Sequence, residues 1–317
     1  MKAFFAIFLI ISFRVVSGAE KDSTKFNSIL VGTEYSSKTS SFGRFSSITK
    51  QPSYSGFASL YLKNGLNFST SSLAIDNSDS TATNFTYEYD LNLGYDLSLG
   101  KYLIASANYT HFFYSENSNL LKSLYNHNIS MGISYNKGKL YANLGGDYLK
   151  GNYNEWMNSA NLGLNFEIKN VFFKDHSISI SPVAGIIMAN HKYYNQYAYQ
   201  NYRYLFRLAN RFPNMTIQDL YDSPSNYQFL LQQLLKAPRV LKNFRELDKD
   251  LVISDLFKAK NKYGLSSVSV VLPVYYNIGN LSLNISYSVT FPVNLPEYMD
   301  NSPVGYFSAG IYYSFIL

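Results

Sequence analysis

Six carboxylates, Glu34, Glu88, Asp90, Asp96, Asp147 and Glu167, alternate with the aliphatic and aromatic residues of their segments. Gathered on one wall, they would favour cations, so they are candidates for a cation-preferring constriction. The plainer reading is that they hydrate or pair inside a polar interior. His111 and His127 flank the stretch 115–123, with Ser115 and Ser118 close in sequence. Ser/His hydrolysis needs a third group to orient the imidazole, and no carboxylate stands in position. His176 and His191 lack ligand spacing, and the chain has no cysteine, which excludes thiolate chemistry. No catalytic residue, metal or cofactor is assigned, and an enzyme is not expected.

The elements that would hold the acids are visible in the period of the chain. Phe85, Tyr87, Tyr89, Leu91, Leu93, Tyr95 and Leu97 interleave with Thr86, Glu88, Asp90, Asn92, Gly94, Asp96 and Ser98. One face of such a strand is apolar, and the other carries three acids that a soluble core would not accept unpaired. The same period recurs in Ile129/Met131/Ile133/Tyr135, Ala160/Leu162/Leu164/Phe166/Ile168 and Leu281/Leu283/Ile285/Tyr287/Val289/Phe291. These runs are long for soluble strands and suit tilted membrane strands. With 30 Tyr and 23 Phe but only 15% charged residues, the composition fits a barrel with aromatic girdles.

Turn signals divide the chain into twelve strands, at 27–36, 54–63, 66–75, 85–98, 102–114, 124–136, 140–150, 157–169, 177–189, 265–277, 281–293 and 303–317. Tight turns at Lys63-Asn64-Gly65, Leu99-Gly100-Lys101, Lys137-Gly138-Lys139 and Ile278-Gly279-Asn280 alternate with longer links. The expected fold is all-β: a transmembrane antiparallel up-and-down barrel of about twelve strands, with short periplasmic turns and longer extracellular loops.

Lys2, the apolar run Phe4 to Phe13 and the small residues Ser17-Gly18-Ala19 read as a signal peptide, 1–19, with Glu20 opening the mature chain. The mature region, 20–317, is then a barrel interrupted by one long link, 190–264. That link reads as a helical insert, with Ser223-Pro224 as a helix start, Pro238 as an interruption and Gly264 as a C-terminal cap. Leu205, Leu208 and Phe212 share one helical face, and Arg203, Arg207 and Arg211 repeat every four residues on another. The segment holds 12 Lys/Arg against 6 Asp/Glu, whereas the mature chain has 25 against 21, so the rest of the barrel is at −2. A basic cap over an acidic lumen is electrostatically favourable, and it would also suit anionic lipopolysaccharide. Nucleic acid is not an expected partner of an exported barrel.

At the C-terminus Phe307, Ile311, Tyr313, Phe315 and Leu317 share one parity and should all face lipid. Gly310-Ile311-Tyr312-Tyr313-Ser314-Phe315 resembles the aromatic closing signal of outer-membrane barrels, with Ile316-Leu317 added. Lys262-Tyr263-Gly264-Leu265, Leu272-Pro273-Val274-Tyr275-Tyr276, Phe291-Pro292-Val293-Asn294-Leu295-Pro296 and Gly305-Tyr306-Phe307-Ser308-Ala309-Gly310 stand in order over the last sixty residues or so. This region resembles a group of functionally uncharacterised Gram-negative outer-membrane β-barrels. The resemblance implies an outer-membrane location and the barrel assembly machinery as a partner, but no substrate. The leading expectation is a passive channel or small-solute transporter. A non-conducting surface or scaffold protein is the alternative, and an outer-membrane hydrolase is a minor one.

Overall fold

The computed structural model describes residues 27–38, 52–76, 85–114, 125–151, 154–190, 263–294 and 302–317, together with Asn214, Thr216, Gln218 and Asp219. The expected signal peptide, Arg203, Arg207, Arg211 and nearly all of the expected insert lie outside these residues.

Fourteen strands follow one another: β1 Ser28–Ser36, β2 Ser53–Tyr61, β3 Leu66–Asp76, β4 Phe85–Ser98, β5 Leu103–Tyr114, β6 Tyr125–Lys137 and β7 Leu140–Gly151, then β8 Asn154–Leu164, β9 Phe166–Lys169, β10 His176–Ile180, β11 Val183–Asn190, β12 Tyr263–Ile278, β13 Leu281–Pro292 and β14 Val304–Ile316. β8 with β9, and β10 with β11, are the halves of two long strands, which leaves a barrel of twelve. Every pairing is antiparallel, sequential strands are neighbours, and β1 against β14 closes the ring with Thr33 opposite Ile311. Closure removes the unpaired edges that an open sheet would expose.

Two expected strands, 157–169 and 177–189, are therefore not continuous. Pro182 has no N–H to donate to the ladder, and the chain steps around it. The Asn165 N–H instead donates to the Lys139 carbonyl at 2.7 Å, and the Ser181 hydroxyl donates to Asn165 Oδ1 at 3.0 Å. The first of these strands also begins earlier than expected, at Asn154, which brings Glu155 into the wall.

Four turns at one end of the barrel are tight because Gly65, Gly100, Gly138 and Gly279 occupy the position that needs positive φ, whereas the six-residue turn 170–175 at that end takes positive φ at Asn170 and Phe172. Gly138 (φ 61°) and Gly279 (φ 56°) open two-residue hairpins, the type II′ arrangement that matches strand twist. In the long link between β11 and β12, the Thr216 hydroxyl and N–H both donate to Asp219 Oδ2 at 2.8 Å, and the Asp219 N–H donates back to Thr216 Oγ1 at 3.1 Å. This reciprocal pair is a capping box, and Gln218 and Asp219 are helical. The hydrogen bonds from Thr216 hold the Asp219 carboxyl below its ordinary range.

Side chains sort by parity. Leu91, Leu93, Met131, Leu144, Leu162, Ile285 and Ile311 are exposed on the outside, while serines, asparagines and acids line the inside. Phe307, Tyr313, Phe315 and Leu317 are likewise exposed on the outer face. Aromatics collect at both rims of that face. Tyr35, Tyr54, Phe85 and Tyr87 form a contact series at one rim, and Tyr102–Tyr135 and Tyr313–Phe315 pair at the other. No helix among the described residues is long and apolar enough to cross a membrane, and barrels cross with strands instead.

Candidate functional site: the acid-bearing interior

Glu34 on β1, Glu88 and Asp90 on β4 and Asp147 on β7 point inward and are buried. Each is on the strand face opposite the lipid-facing residues, because a period of two sends neighbours to opposite sides. Glu34, Glu88 and Asp90 lie in the halves of their strands next to the longer links 37–52 and 77–84, and Asp147 lies at the same end of the barrel beside the two-residue link 152–153. Asp96 lies near the short turn after β4 and Glu167 near the six-residue turn 170–175 at the same end, so the six expected acids divide into an outer group of four and two at the inner end. Asp96 Oδ2 accepts from the Asn67 amide at 3.2 Å, and Glu167 is 3.5 Å from Lys169 at the inner rim.

Glu155 joins the outer group and was missed because its position reads as part of a loop. It is 1% exposed and accepts a hydrogen bond from the Tyr125 hydroxyl. The alternation that would have found it is short: Glu155, Met157 and Ser159 face in, while Trp156 and Leu162 face out.

Neutral donors reach Asp90, Asp147 and Glu34. The Ser71 hydroxyl donates to Asp90 Oδ2 at 2.9 Å, the Asn128 amide to Asp147 Oδ1 at 3.0 Å, and the Tyr312 hydroxyl to Glu34 Oε2 at 3.0 Å. Buried carboxylates require such partners, because desolvation without compensation is costly. Phe57 packs on buried Tyr275 and Tyr312, placing aromatic bulk on the polar face beside Glu34. No rule of alternation anticipates these three residues.

Among the described residues, every Lys lies outside this inner wall. Lys38, Lys137, Lys150 and Lys169 are at or beyond strand ends, and Lys63, Lys101, Lys139 and Lys174 are in turns. The described part of this band is thus acidic, with its carboxyl groups hydrogen-bonded into the wall. With Glu88 and Glu155 at 0% and 1% exposure, the same band is closed to bulk water.

His111 and His127 are cross-strand partners on the outer face, as their parity implied. Their Nδ1 atoms are 3.1 Å apart, and the Tyr109 hydroxyl is 2.8 Å from His127 Nδ1. No described carboxylate orients either ring. Ser115, Ser118 and His191 lie outside the described residues, and His176 meets the Tyr276 hydroxyl at the inner rim.

A closed antiparallel barrel with an apolar belt, two aromatic rims and a polar interior is a transmembrane β-barrel of the kind found in bacterial outer membranes. No family model and no curated protein matches the chain. The solved structures it resembles are Gram-negative outer-membrane barrels. One is the KdgM porin, at 9% identity over 90% of this chain and 99% of that one, with a TM-score of 0.45. Another is the NanC porin, at 9% identity over 90% and 98%, with a TM-score of 0.43. A third is LpxR from Salmonella typhimurium, at 6% identity over 90% and 99%, with a TM-score of 0.44.

Proposed function

We propose that the protein is an outer-membrane channel of restricted bore that prefers small cationic solutes. It is exported by the signal peptide 1–19, and its closing strand presents the aromatic end that the assembly machinery reads. The observation that carries the reading is the sorting of charge. Five carboxylates face the interior of the outer half, and the described lysines stay off that wall. Twelve strands enclose more space than the eight-stranded barrels whose interiors side chains fill. A wall closed to water at Glu88 and Glu155 supports restriction from the outer side, which is the role proposed for 191–262 as a mainly helical extracellular cap bearing Arg203, Arg207 and Arg211. Asn190 and the expected C-terminal cap Gly264 belong instead to the paired ends of β11 and β12.

The closed band also favours a second reading, a non-conducting surface or scaffold protein. Planar-bilayer recording on the purified full chain, and on a variant with 195–260 replaced by a short Gly/Ser link, separates the two. A channel under a cap conducts weakly in the parent and more in the shortened form. Silence in both, with the variant still folded, favours the scaffold.

A further inference from the structure

The outer surface of β5 to β8 is low in side-chain volume, as is that of β2 and β3 around Gly56 and Ser72. Where β4 exposes Leu91, Leu93 and Tyr95, β5 to β8 present Ala105, Ala107, Gly146 and Ala160. The missing side-chain volume leaves a groove of about 740 Å³, flanked by Met131 and Leu144. Its size is within the roughly 300–1,000 Å³ of small-molecule sites, yet it opens to hydrocarbon instead of water.

Following the same strands outward leads to a polar crown. Ala107 is succeeded by Tyr109 and His111, Met131 by Ile129 and His127, and Gly146 by Tyr148 and Lys150, all on the lipid-facing parity. The register sets His111 opposite His127, and His127 opposite Lys150. Tyr148 and Trp156, with centroids 5.1 Å apart, mark the interfacial level between groove and crown. The Nδ1 atoms are engaged within the histidine cluster, which leaves the Nε2 edges and the Lys150 ammonium to meet an outside acceptor. Lys150 has no ion-pair partner among the described residues.

We propose that this face binds one acylated, phosphorylated lipid of the outer leaflet, with a chain in the groove and a phosphate at His111, His127 and Lys150. Groove and crown share the same strands in the order that such a lipid requires, apolar below and anion-binding above. A second copy of this chain is the poorer occupant, because a two-fold contact through this face would set like basic groups against each other. The inference is independent of whether the interior conducts.

The test is native mass spectrometry of the delipidated full chain in a non-ionic detergent. It is supplied separately with phosphatidic acid, with diacylglycerol as the phosphate-free counterpart, and with bisphosphorylated lipid A. One-to-one adducts with the two phosphorylated lipids are expected, with diacylglycerol held at least about tenfold more weakly. The combined variant His111→Gln, His127→Gln, Lys150→Gln should weaken the phosphorylated adducts about tenfold and leave diacylglycerol unchanged. Lys150→Gln alone, at an exposed strand end, should shift in the same direction and guards against a folding defect. Tighter retention of lipid A assigns the site to the glycolipid, and equal retention assigns it to the shared phosphate chemistry. Equal binding of diacylglycerol, indifference of both variants, or a protein dimer without lipid adducts overturns the proposal.

Discussion

The Tyr312 hydroxyl reaches from β14 to Glu34 on β1 at 3.0 Å, so a buried hydrogen bond crosses the seam where the last strand meets the first. Both residues are nearly inaccessible, Glu34 at 8% and Tyr312 at 3%. Tyr312→Phe removes a donor from a buried carboxylate and should cost about 1–3 kcal/mol. The measurement is the urea midpoint at which the folded gel band converts to the unfolded one. Glu34→Gln combined with Tyr312→Phe should cost less than the two separate losses together. An unchanged midpoint for Tyr312→Phe would remove this bond from the closure.

Side-chain direction makes a sharper contrast. Leu91 is exposed to lipid in the middle of β4, so Leu91→Arg should impair assembly by roughly 2–4 kcal/mol. Leu164 pairs with Leu140 at the start of β7, next to the inner rim, so Leu164→Arg should cost only about 0–1 kcal/mol. Asn92→Arg points inward and gives up the 2.7 Å bond to Thr110, a loss of about 1 kcal/mol. Asn165→Arg gives up the Ser181 bond at the strand break, with a similar cost. Equal assembly yields for Leu91→Arg and Asn92→Arg would remove the distinction between the faces, and a lower yield for Asn92→Arg would reverse it.

The register of closure is testable by cross-linking, since the chain has no cysteine of its own. Thr33→Cys with Ile311→Cys should form a disulfide in isolated outer membranes, because those positions are direct partners. Thr33→Cys with Phe315→Cys should not, because Phe315 is opposite Ile29. Cross-linking of the second pair alone would shift β1 along β14 and move every inward residue of β1.

The strands were legible because alternation in a closed barrel serves two solvents, lipid outside and polar groups inside, and both faces leave their mark. All twelve expected spans coincide with strands, whereas the break at Pro182 was not read from a single proline in a long run. The acids on β1, β4 and β7 followed from parity, but their division between outer and inner ends depends on register, which sequence spacing does not carry. Phe57, Tyr275 and Tyr312 were illegible as interior residues, since an aromatic on the polar face looks like an error in the pattern. The bulge between Tyr125 and His127 turns Tyr125 inward to Glu155, a reversal of parity that no periodic reading contains. In the long link the expected helix start, Ser223, lies outside the described residues, and the capping box at Thr216 and Asp219 is a feature the sequence reading did not name.

The most direct measurement of the acidic interior is the reversal potential of the purified full chain in a planar bilayer under a potassium chloride gradient. A wall carrying Glu34, Glu88, Asp90, Asp147 and Glu155 without described lysines should give a cation-selective reversal potential. Glu88→Gln with Asp90→Asn should move it toward zero, and raising the salt should do the same for the parent through screening. A reversal potential of anionic sign, or one that the two neutralised carboxylates leave unchanged, would contradict the role given to these residues.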